Sequence, residues 1–95
     1  MRSGWAAPSR PAVAIMLRFR KGFVPREDVL RRVARERGYD IVEGTLSVKF
    51  QDGQPEWHFS AVALDKNSGV PIAELAQELT TFEGVDNFHM SHERN

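Results

Sequence analysis

Apolar and polar residues alternate from Val13 to Arg20: Val13, Ile15, Leu17 and Phe19 point one way, Arg18 and Arg20 the other. A period of two over that length makes a strand with one buried face, which commits the chain to a sheet covered by a second layer. The next segments supply both. Lys21, Gly22 and Phe23 turn the chain, and Pro25 fits a first helical position, with Glu27 and Asp28 in the first turn where negative charge suits the helix dipole. Val29, Leu30, Val33 and Ala34 form the buried stripe of a helix that runs to about Arg37, and Gly38 is placed to cap it in a left-handed conformation.

Ile41 to Phe50 reads as a second strand, with Val42, Leu46, Val48 and Phe50 on one face and Glu43, Thr45, Ser47 and Lys49 on the other. Asp52-Gly53 is a strong hairpin signal, so Glu56 to Leu64 is a third strand antiparallel to the second. Trp57, Phe59, Ala61 and Ala63 alternate along it with His58, Ser60, Val62 and Leu64. Apolar groups on both sides make this strand central. Pro71 opens a second helix whose Ile72, Leu75, Ala76 and Leu79 follow the i, i+3, i+4, i+7 spacing, and Gly84 caps it. Val85 to His92 is a fourth strand with Phe88 and Met90 inward. The predicted fold is therefore α+β: a ferredoxin-like βαββαβ domain, with a four-stranded antiparallel sheet in the order 4-1-3-2 and two helices on one face. Leu17, Phe19, Val33, Leu46, Leu75 and Leu79 are expected in its core.

Ninety-five residues make one domain. Residues 1–12, with Pro8, Pro11 and no hydrophobic period, read as a flexible lead-in, and residues 13–95 as the domain. No apolar run approaches the roughly 20 residues of a membrane span. The absence of cysteine excludes disulfides and thiolate metal sites and makes a soluble cytoplasmic domain the default expectation. Formal charge sums to zero but is uneven: Met1 to Arg37 holds ten Lys or Arg against three Asp or Glu, and Gly38 to Asn95 holds three against ten.

Each constellation that could carry chemistry has a plainer reading beside it. His89 and His92 stand three apart, which on a strand sends them to opposite faces, and His58 is separated from them by the first strand. Surface histidines are expected, not a metal site. Asp52 with Glu56 and Asp40 with Glu43 lack the dense spacing of a cation loop, so no specific, tight magnesium site is expected. Arg31, Arg32 and Arg35, with Arg18, Arg20 and Lys21 nearby, suit anionic lipid headgroups; the plainer reading pairs Glu27 with Arg31 and Asp28 with Arg32 along the helix. Trp57 and Phe59 give two aromatics on one strand face, but no Lys/Arg-Gly-aromatic run accompanies them, so nucleic acid is not an expected partner. Ser47 and Ser60 are ordinary strand serines, and no Gly-rich phosphate cradle exists. No catalytic, cofactor-binding or metal-binding residues are assigned, and the chain is expected not to be an enzyme.

The stretch Val29-Leu30-Arg31-Arg32-Val33-Ala34-Arg35-Glu36-Arg37-Gly38-Tyr39-Asp40-Ile41 resembles the helix-to-strand passage of ACT domains. The loop Arg20 to Pro25 keeps Gly22 but has neither the Asp nor the Pro-Gly pair that amino-acid-binding members carry. Glu56 to Leu64, Ile72 to Leu79 and Phe82-Glu83-Gly84-Val85 leading into the last strand resemble the cytoplasmic C-terminal domain of the MgtC/SapB family of bacterial inner-membrane proteins. The resemblance spans about Ala14 to His92. It implies a regulatory or protein-interaction domain following transmembrane helices, in proteins tied to magnesium limitation and virulence. A free-standing small-molecule-sensing ACT domain and an RNA-binding module are the alternatives. The partners expected are a second copy or another protein, docked where Val62 and Leu64, or else Trp57 and Phe59, occupy the sheet face that the helices leave open. Trp5 of the lead-in is the intramolecular alternative for covering that face.

Overall fold

A computed structural model describes residues 12–65 and 70–93. The elements run β1 (Ala12–Phe19), α1 (Glu27–Glu36), β2 (Tyr39–Ile41), β3 (Ser47–Gln51), β4 (Gln54–Ala63), α2 (Ile72–Leu79) and β5 (Val85–His92). All strand pairs are antiparallel, in the order β2-β4-β1-β5, with β3 also on β4. The architecture is thus α+β, an open antiparallel sheet with two helices on one face.

The sheet has five strands where the sequence pattern predicts four, because the predicted second strand is broken. Ile41 pairs with Ala61 and Ser47 with His58, so Val42–Leu46 stand opposite only Phe59 and Ser60. The excess is taken up by a turn: Gly44 has φ +82, and Thr45 donates to the Val42 carbonyl from its backbone N (3.2 Å) and its Oγ1 (2.7 Å). The Thr45 hydroxyl then accepts from the Ser60 backbone N at 3.1 Å, replacing the missing ladder bond. With Val42 N donating to the Ser60 carbonyl at 2.9 Å, both backbone groups of Ser60 are paired while the chain is re-aimed, as at a bulge.

The hairpin from β3 to β4 turns on Asp52 (φ 56) and Gly53 (φ 78) alone. Both left-handed residues are what a two-residue turn needs to match the strand twist. Pro25 does not open α1. It precedes Arg26, whose extended backbone forms the cap and whose carbonyl accepts the first helical bond from Leu30 N at 3.1 Å. Pro71 likewise stays outside α2 with ψ 147, and its carbonyl accepts from Glu74 and Leu75. Proline's fixed φ serves the residue before a helix as well as the first residue in it. Gly38, with φ +87, ends α1 as expected, but Gly84 does not cap α2: that helix ends at Leu79 with Thr80 as its cap, and turns closed by the amides of Phe82 and Val85 carry the chain on through the left-handed Gly84.

The odd-numbered residues of β1 and β4 face the helices. Val13, Leu17, Phe19, Trp57, Phe59, Ala61 and Ala63 are all buried there, with Leu30 of α1 and Tyr39 and Ile41 of β2. Trp57 and Phe59 therefore leave the open face, which carries Val62 instead, while Leu64 has left the sheet and bonds from its backbone N to the Gly38 carbonyl. Of the residues expected in the core, Leu17 and Phe19 are fully buried; Val33, Leu46, Leu75 and Leu79 are only half-buried. Val42, Val48 and Phe50 are exposed, because the helices do not extend over the β3–β4 hairpin. Trp5 lies outside the described residues, as does all of the lead-in except Ala12, the first residue of β1.

Candidate functional site: the cleft between the two helices

The two helices seat unequally. α1 packs along β2 and buries Leu30; α2 packs along β5 and buries no residue completely. Between them, floored by the sheet, lies a cavity of about 330 Å³. Ile15, Leu17, Phe59 and Ala61 form the floor, Val33 and Ala34 one wall, Leu75 and Leu79 the other. The half-burial of Val33, Leu75 and Leu79 has its cause here. Their stripes point inward, as the helical period dictates, but face an open chamber instead of each other.

Charged and polar groups gather at the rim. Arg37, the C-terminal cap of α1, reaches across to Glu78 of α2, and its Nε donates to that carboxylate. This bond, then the charge of Glu78, holds the guanidinium above its ordinary pKa. Glu36 lies 3.8 Å from the same guanidinium. Thr81 and Glu83 complete the rim. Tyr39 lines the chamber deeper in, its hydroxyl donating to the Val70 carbonyl at 2.8 Å, and burial raises its pKa.

The residues singled out by the sequence lie elsewhere and are mostly paired. His58 and His89 both stand on the open sheet face opposite Met16, on either side of β1, and His92 faces the other way opposite Val13. The His58 ring donates from Nε2 to Glu56 Oε2 at 2.7 Å. Glu56 also has Lys49 at 3.8 Å; its carboxyl titrates below the ordinary 4.5, chiefly because of the His58 bond. Asp40 bridges to Arg35 at 3.1 Å, and Glu43 to Arg31 at 3.5 Å. Among the described residues no three His, Asp or Glu side chains are grouped to hold a metal ion. Arg31 pairs with Glu27 at 2.9 Å as the spacing predicts, but Asp28 takes Arg26, not Arg32. Arg18 stands beside Glu56 on the sheet face away from α1, so it does not join the helix arginines in one patch. Trp57 and Phe59 are enclosed under the helices and offer no stacking platform. Ser60 donates to Glu93, not to a histidine base. No helix among the described residues is long and apolar enough to cross a membrane.

The cleft itself was not legible in the sequence. Arg37 and Glu78 are 41 residues apart, and each reads alone as a solvated helix charge. Compared with known proteins, the chain matches no family model, no curated protein and no solved structure.

Proposed function

We propose that this chain is a non-catalytic regulatory domain that works by binding a small molecule between its helices. The observation that carries this reading is the apolar chamber of about 330 Å³, within the roughly 300–1,000 Å³ range of small-molecule sites. An occupant adds apolar contact to the half-buried stripe of α2, which has no fully buried residue, and draws that helix onto the sheet. Binding and the position of one helix are then linked, which is what a sensor requires.

The arrangement β1-α1-β2/β3-β4-α2-β5, with both helices on one face, supports a ferredoxin-like, ACT-like plan in which the second strand is in two pieces. With the resemblance to MgtC/SapB tails, it supports placing the domain in the cytoplasm after membrane helices of a parent protein adapted to low magnesium. Apolar spans encoded immediately upstream would be expected, and their absence would remove the membrane part of the reading.

The cleft is tested with toluene, a neutral probe, by NMR titration of the full chain. Saturable shifts are expected at Ala34, Leu75, Leu79 and Met90. Ala34→Leu, which puts a larger side chain into the chamber, is expected to abolish them and to raise the denaturation midpoint. Shifts scattered over the surface, or an unchanged response in the variant, count against a binding cleft.

A second reading rests on a separate observation. Phe50 is 71% exposed and Val48 48%, side by side on the helix-side face of β3, opposite Pro55 and Trp57. Such an uncovered apolar strip supports docking of a protein, a second copy of this chain first of all.

A further inference from the structure

We propose that the molecule bound in the cleft is an amphipathic cation, a small amine whose apolar tail fills the chamber and whose ammonium group meets Glu83. This rests on the cleft being a binding site and adds the chemical class of its occupant. Among the described residues three charged side chains line the cavity: Arg37, Glu78 and Glu83. The cation among them is offset in charge, since Arg37 is bonded to Glu78 and has Glu36 at 3.8 Å. The rim therefore carries a net charge of −1 (one positive group, two negative), and Glu36 beside it adds to the same sign. Glu83 has no hydrogen bond or ion pair among the described residues.

An anionic head could take only the Arg37 N–H groups not turned to Glu78 and would sit among the carboxylates of Glu36, Glu78 and Glu83. A cationic head leaves the Arg37–Glu78 bridge closed and meets Glu83, which is unpaired among the described residues. The walls fix the rest of the ligand. The chamber offers about 330 Å³, and most of its lining is apolar. That matches an aliphatic or aromatic tail of moderate length, and the apolar floor rejects a second charge. A lysine side chain brings the same ammonium on too short a stem to fill the space, so the class is a free amphiphile and not a peptide.

Octylamine, octan-1-ol and sodium octanoate separate the possibilities, each titrated into the full chain and followed at the amides of Ala34, Leu75 and Leu79. Octylamine is expected to bind about two- to five-fold more tightly than octanol, the range for a solvent-exposed charge pair. Octanoate is expected to bind most weakly, and added salt should narrow the differences. Glu83→Gln should bring octylamine down to the level of octanol, and Glu83→Lys should reverse the order in favour of octanoate. Equal binding of octylamine and octanol, or tightest binding of octanoate, overturns the cationic class while the cleft stands as a site. An Nα-acetyl-lysine methylamide that binds as tightly as octylamine overturns the free amphiphile. If none of the three probes shifts the cleft residues, the binding cleft falls with it.

Discussion

Replacing Gly84 with alanine tests how the loop after β1 is locked to the start of β5. Gly84 is buried, has φ +85, and its carbonyl accepts from Arg20 N at 2.8 Å. A Cβ there would lie 2.5 Å from Cδ2 and Cε2 of Phe23, about 1 Å inside ordinary carbon contact at 3.5–4.0 Å. The ring has nowhere inward to go. It stacks on Phe19 at 5.5 Å, and Phe19 meets Trp57 edge-on at 6.0 Å. The left-handed backbone costs alanine about 1–2 kcal/mol, and the overlap adds about 1–3 kcal/mol as overpacking, so Gly84→Ala should destabilise by about 2–5 kcal/mol. Gly44→Ala is the internal control: its φ is +82, but nothing lies within 4 Å of the added carbon, so only the backbone cost applies. Urea denaturation measures both. The excess of Gly84→Ala over Gly44→Ala should vanish in a Phe23→Ala background, since the coupling belongs to that one contact. Equal destabilisation by the two glycine variants in the wild-type background would refute the packing of Phe23 on Gly84.

Two further outcomes are expected. Glu56 titrates below its ordinary 4.5 because of its bond from His58, so its contribution to stability is complete above that value and lost as pH falls through the lower folded-state pKa. Denaturation midpoints of Glu56→Gln should accordingly fall less steeply than wild type on the acid side, and parallel acid limbs would show that the bond does not bias folding. Phe50→Ser should change stability by less than about 0.5 kcal/mol, given how exposed the ring is. It should also abolish any concentration-dependent sedimentation of the wild-type chain, and a wild type that stays monomeric throughout the series removes a second copy as the partner for this strip.

Local chemistry alone settles much of this molecule. The alternation Val13-Ile15-Leu17-Phe19 assigns each residue of β1 its face, since a strand's period is two whatever surrounds it. Asp52-Gly53 makes its hairpin because both residues tolerate a left-handed backbone, and Gly38 ends α1 for the same reason. The α+β class follows from the order of these patterns. Tertiary structure decided the remainder, through contacts that no local window contains. The break in the predicted second strand uses a local turn at Gly44, but it is fixed by the Thr45 hydroxyl accepting from the Ser60 amide, 15 residues on, a bond that exists only once β4 is in place. The choice between Trp57 with Phe59 and Val62 as the open-face residues depends on which side the helices cover, and both sides of β4 are apolar enough to read either way. Val33, Leu75 and Leu79 carry regular helical stripes, yet their burial is set by the distance between α1 and α2, which sequence period does not encode. The cleft, its rim charges and the bridge from Arg37 to Glu78 are products of that spacing.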